Sequence, residues 1–212
     1  MRINKKFMKI WSFYSFLLML SLNINIFFWD FFSGSDTRGF GVIDPYFGLP
    51  MFYVYMIGFF NSFIVVLAIL KYPKFGMGSY IWIPYAVIGF FVETYFELDV
   101  LVSIWSVVGY CIFGLITGFS ADITFKLLNT KTKLKYGVIS GITGIIMSLT
   151  YFILITIALG FFYQSGWVAG SLFDPGTFLG TAYFGVPWMI INAFFGGFSA
   201  FYVDNFSAIN ID

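Results

Sequence analysis

Trp105-Ser-Val-Val-Gly-Tyr-Cys-Ile-Phe-Gly-Leu-Ile-Thr-Gly-Phe-Ser-Ala-Asp122 decides the reading of this chain. The run is apolar and long enough to cross a bilayer as a helix. Gly114, Gly118 and Ala121 fall at i, i+4 and i+7, so three small residues share one stripe. In lipid such a stripe lets a neighbouring helix approach to backbone contact. Asp122 ends the run and meets a basic loop from Lys126 to Lys135. One segment thus predicts a span, a packing face and an orientation.

The surrounding composition agrees. Of the 212 residues, 60% are hydrophobic and 10% charged, and mean hydropathy is +0.90. Soluble domains average about 45–50% apolar and about 25% charged residues. A water-soluble core does not need this much apolar side chain. No basic face or nucleic-acid motif is present, which argues against nucleic acid as a partner. The chain has no histidine, excluding His-ligated haem, His-metal sites and His proton relays within it. A lone cysteine, Cys111, cannot form an intrachain disulfide, and it reads as a small hydrophobe inside the span. No metal centre and no cofactor is expected.

Hydrophobic runs bounded by polar punctuation predict six helices, at about 7–28, 50–70, 80–96, 100–122, 136–163 and 178–203. They form a single transmembrane domain over residues 1–212. The apolar run from Phe7 is longer than a signal-peptide core of about 7–15 residues, so it reads as an uncleaved first helix. Gly137, Gly141 and Gly144 give the fifth helix a packing face. Ten of the eleven basic residues lie at the N-terminus, in the 71–79 loop or in the 122–135 loop; Arg38 is the exception. Seven of the ten acids lie in the alternate loops. The positive-inside rule then places both termini in the cytoplasm of an all-α, six-span bundle in the cell membrane.

Several residues are candidates for chemistry. Glu93 and Glu97 lie one helical turn apart at the outer end of the third helix. They can bind a cation or share a proton, or stand solvated at the membrane surface. Asn61, Asn192 and Thr150 lie near the middle of their helices and are expected to face the bundle interior. Pro187 leaves the Tyr183 carbonyl without its helical donor, and a bend there beside Trp188 and above Asn192 can open a pocket. Trp11, Trp29, Trp82 and Trp167 read as interfacial belt residues. Trp105 and Trp188 lie within spans, placed to stack a flat ligand. No P-loop, GxSxG, HExxH or CxxC pattern occurs, so neither ATP binding nor catalysis is expected of this chain.

Two stretches resemble the substrate-binding S component of energy-coupling factor vitamin transporters. Phe113-Gly-Leu-Ile-Thr-Gly-Phe-Ser-Ala-Asp122 is similar to the glycine-spaced helix ending in Asp of that family. Gly185-Val-Pro-Trp-Met-Ile-Ile-Asn192-Ala-Phe-Phe-Gly-Gly197 is similar to its last helix. The resemblance implies a binder of small, vitamin-like molecules working with a coupling transmembrane subunit and ATPases. Two features depart from the family pattern. The glycine helix is fourth here, where it is usually third, and Ser12, Ser15 and Ser21 stand in the first helix where an Ala-x-x-x-Ala-type docking surface is usual.

The expected function is a membrane-embedded substrate-binding transport subunit. Its pocket is formed by Glu93, Trp105, Trp188 and Asn192, with the 29–49 loop as a lid. The alternative is a non-catalytic accessory subunit of a larger membrane complex. An intramembrane enzyme or proton-coupled transporter ranks last, because only Glu93 and Asp122 approach the buried ionisable groups it needs.

Overall fold

The computed structural model describes residues 5–33, 58–84, 87, 100–131, 135–164 and 175–209, with side chains described for 5–21, 58–84, 87, 112–130, 135–154 and 185–206. Six helices carry these residues: α1 (Lys5–Ser33), α2 (Ser62–Lys71), α3 (Met77–Tyr80), α4 (Val100–Lys131), α5 (Tyr136–Gln164) and α6 (Pro175–Ile209). No strand occurs among the described residues. Two segments, Tyr136–Leu154 of α5 and Gly185–Phe206 of α6, are long and apolar enough to cross a membrane.

Helix ends differ from the sequence expectation where composition changes but backbone chemistry does not. α4 runs nine residues past Asp122, because no glycine or proline lies between Gly118 and Gly137 to stop it. The expected basic loop is therefore largely helix, and Asp122 lies inside α4 rather than at its end. α1 likewise passes Phe28 and runs to Ser33. α6 starts at Pro175, whose fixed φ and missing N–H suit a first helical turn, and continues through Pro187. The expected third helix, about 80–96, overlaps α3 only at Tyr80, and of its remainder 85–86 and 88–96 lie outside the described residues.

α2 is the centre of the packing and touches each of the other five helices. Its ten residues are apolar nearly all round, and Val65, Val66 and Ala68 are wholly buried. A π-helical turn at 58–61 precedes it and carries Asn61. The most extensive contact joins α5 and α6, which pack antiparallel. Glycines bring their backbones together: Gly197 lies against the Ser140 carbonyl, Gly144 against the Ala193 carbonyl, and Gly141 receives the Phe194 ring. Gly196 meets the Phe59 carbonyl and seats the start of α2 on α6. At the other end, Lys71 Nζ of α2 and Asp204 Oδ1 of α6 form an ion pair at 2.8 Å.

The Gly114–Gly118 stripe takes a neighbouring helix at backbone contact, as expected: Gly118 meets the Gly78 backbone of α3, and Gly114 meets the Trp82 side chain. Two sequence expectations are corrected here. Trp82 is a core residue, 1% exposed, because Gly114 leaves room for it and Tyr151 stacks on its ring at 5.7 Å. Thr150 does not point into the interior; its hydroxyl donates to the Ile146 carbonyl at 2.8 Å and so needs no partner on another helix.

The α5–α6 contact predicts the effect of bulk. Val at Gly197 would drive two methyl groups into the Ser140 carbonyl, and overpacking of this kind costs about 1–3 kcal/mol. Thermal unfolding of the purified Gly197→Val protein should show a midpoint lowered by several degrees. Ile153→Val, at an exposed site of α5, should leave it unchanged.

Candidate functional site

The most ordered polar arrangement is built around Asp122. The chain leaves α2 through Tyr72-Pro73-Lys74-Phe75 and turns at Gly76, whose φ of +98° is left-handed and strained for any residue with a side chain. The next turn presents its first free N–H groups to α4. Gly78 N donates to Asp122 Oδ1 at 3.0 Å and Ser79 N to Oδ2 at 3.3 Å. Gly78 and Gly118 have no side chains, so the two backbones touch and the carboxylate can reach both donors. Ser79 Oγ adds a bond to the Leu115 carbonyl at 3.3 Å, and Trp11 Nε1 donates to the Tyr80 carbonyl at 2.8 Å. Asp122 is 3% exposed. A buried carboxylate accepting two backbone N–H bonds at a helix start is charge-assisted and directional.

A cleft of about 210 Å³ opens beside this carboxylate, between the 73–75 turn and the last turns of α4. Lys74 and Lys126 stand at its wall, with Phe75, Phe125, Asn129 and Thr130. Lys74 Nζ lies 5.4 Å over the Tyr72 ring and Lys126 Nζ lies 5.3 Å over the Phe75 ring. Read along the sequence, these lysines register only as orienting charges. What groups them is the turn at 72–76, which places Lys74 on the same cleft as Lys126.

A second polar set lies within the helix packing. Ser21 Oγ of α1 donates to the Leu18 carbonyl at 2.8 Å and shares that proton with Asn61 Oδ1 at 3.2 Å. Asn61, in the turn that leads into α2, is 1% exposed, so this amide does face the interior, and its Nδ2 has no partner among the described residues. Ser62 Oγ donates to the Gly144 carbonyl at 3.2 Å and lies 2.9 Å from Ser148 Oγ, joining α2 to α5. The hydroxyls of Ser15, Thr117 and Ser140 are buried without a hydrogen-bond partner among the described residues. Ser15 and Ser21 of α1 thus turn toward the bundle, while Ser12 bonds back to Lys9.

The residues nominated for a ligand pocket are not brought together by the described contacts. Glu93 lies outside the described residues. Trp105 lies on α4, where only the backbone is described. Trp188 is 61% exposed on the outward face of α6. Asn192 Nδ2 donates to the Trp188 carbonyl at 2.9 Å, a bond within its own helix. No group of three or more potential metal ligands occurs among the described residues. No family model matches the chain, and no curated protein or solved structure is significantly similar to it.

Removing the Asp122 carboxylate leaves two buried N–H groups without acceptors, each worth about 1–3 kcal/mol. Asp122→Ala should therefore destabilise the purified protein by about 2–4 kcal/mol in denaturant unfolding. Asp122→Asn keeps one acceptor oxygen and should lose roughly half as much. Equal stability of all three proteins would remove Asp122 from its anchoring role.

Proposed function

We propose that this chain is an integral membrane subunit, crossing the bilayer six times with both termini in the cytoplasm, that binds a small molecule for transport alongside a separate energising complex. The observation that carries the membrane part is the surface of α6. Met189, Ala193 and Ala200 are buried against the bundle, yet the opposite face is apolar too, with Ile191, Phe195, Tyr202 and Phe206 each 45–65% exposed. A helix apolar on both faces suits lipid on one side and protein on the other. α1 and α4 repeat the pattern, with Phe13, Phe16, Ile112 and Phe119 facing outward. The alternation of basic and acidic loops gives the orientation.

The binding role rests on the chemistry of the few polar groups in an otherwise apolar chain, which is the usual make-up of small-molecule sites. Glu93, Trp105, Trp188 and Asn192 remain the proposed ligand residues, and the resemblance to S components of energy-coupling factor transporters supplies the substrate class. The second reading is a non-catalytic accessory subunit. It is favoured by the tight glycine packing of α5 on α6 and by Asn192 spending its amide on its own helix.

Reporter fusions test the topology: fusions within 34–44 and 165–174 should report the outer side, and fusions at 73–76 and 132–134 the cytoplasm. Native mass spectrometry of the gently extracted protein separates the two functions. The transport reading expects a bound small molecule or associated ATPases. Stoichiometric association with an unrelated membrane enzyme and no ligand would select the accessory role. Once a ligand is identified, Trp188→Ala and Glu93→Gln should each weaken its affinity, roughly ten-fold or more. Unchanged affinity in both would discard this pocket.

A further inference from the structure

We infer that the cleft between the 73–75 turn and the end of α4 is a binding site for a phosphate-bearing anion, occupied by the headgroup of an anionic lipid. Two lysines from different elements, Lys74 and Lys126, line one small cleft. Neither has a carboxylate partner among the described residues, whereas their neighbour Lys71 is paired with Asp204 at 2.8 Å. Each instead rests over an aromatic ring, a contact an exposed ammonium can leave for an anion at small cost. Asp122 also lines the cleft, its oxygens accepting from the Gly78 and Ser79 N–H groups, and its negative charge keeps an anion at a distance. The anion therefore sits at the lysine rim, away from the carboxylate. Asn129, exposed on α4, offers an amide donor beside it.

The surface next to the cleft favours a lipid over a free ion. Phe75 and Phe119 meet edge to face at 5.4 Å and are about half exposed, 51% and 47%. Cationic rim and exposed apolar rings thus adjoin, matching a headgroup joined to an acyl chain. Basic pockets between helices at the cytoplasmic face are recurrent sites for anionic headgroups. The cleft, at about 210 Å³, falls below the roughly 300–1,000 Å³ of drug-sized ligand sites. The lipid assignment rests on the membrane reading above; the anion site itself does not.

The test uses the full chain, delipidated in detergent and equilibrated with mixed phosphatidylglycerol and phosphatidylcholine vesicles, then re-extracted for native mass spectrometry. The wild-type protein should retain phosphatidylglycerol in preference to phosphatidylcholine. The Lys74→Gln/Lys126→Gln double variant should retain roughly ten-fold less of it. A parallel thermal-shift series with inorganic phosphate separates the sources. Stabilisation by phosphate that the double variant loses, without selective lipid retention, assigns the site to a free phosphate anion. Equal lipid retention and equal phosphate response in the two proteins overturns the site. Alkaline carbonate extraction scores the membrane reading separately: release of the chain from membranes would end that reading while the phosphate series still judges the cleft.

Discussion

The Asp122 carboxylate fixes how the first half of the described structure meets the second. By accepting from Gly78 and Ser79 it pins the start of α3 to the middle of α4, and the rest follows from that contact. The turn at 72–76 must fold back at the end of α2, which brings Lys74 to the cleft. Trp82, a turn later, drops onto Gly114 and under Tyr151, so α3, α4 and α5 are tied at one level. Trp11 of α1 reaches the Tyr80 carbonyl and closes the group from the other side. A charge in this setting is unusual, since burial disfavours an ionised carboxylate unless its lone pairs are met. Two backbone donors on a glycine-cleared surface offset part of that cost.

Glycine sets the scale of the remaining contacts. In an apolar solvent the hydrophobic effect does not press helices together, and close packing with interhelical hydrogen bonds takes its place. The α5–α6 seam, with Gly144 and Gly197 against opposing carbonyls, is packing of this kind. Ser62, wedged between the Gly144 carbonyl and Ser148, adds the hydrogen-bonded element. Outside this interior the midsections of α1, α4 and α6 expose mainly apolar side chains, among them Phe13, Phe16, Ile112, Phe119, Ile191 and Phe195. The proposed lipid-headgroup cleft lies where that surface gives way to lysine.

Much of the helix pattern was legible in the residues. α5 matches its expected bounds to within a residue, since Gly137 and the basic stretch before it punctuate its start. α4 and α1 extend past their apolar runs because a shift from apolar to polar composition does not end helical hydrogen bonding. Lys126, Leu127 and Asn129 are all compatible with helix. Trp82 is illegible as a core residue for a different reason. Its burial depends on Gly114, 32 positions away, and no local pattern reports such a contact. The same holds for the cleft that Lys74 and Lys126 share and for Asp122, whose partners are backbone atoms that any sequence would supply. Asn61 was readable as interior, because a lone amide amid Phe59, Phe60 and Phe63 has little else to do.

The account stands most directly on the amide protons of Gly78 and Ser79. Hydrogen exchange of the intact protein in detergent, resolved to these residues, measures whether the carboxylate holds them. Exchange as slow as in the buried part of α5, and accelerated by Asp122→Ala, is the predicted result. Exchange at the rate of an open loop in the wild-type protein would contradict the anchored turn and the cleft built on it.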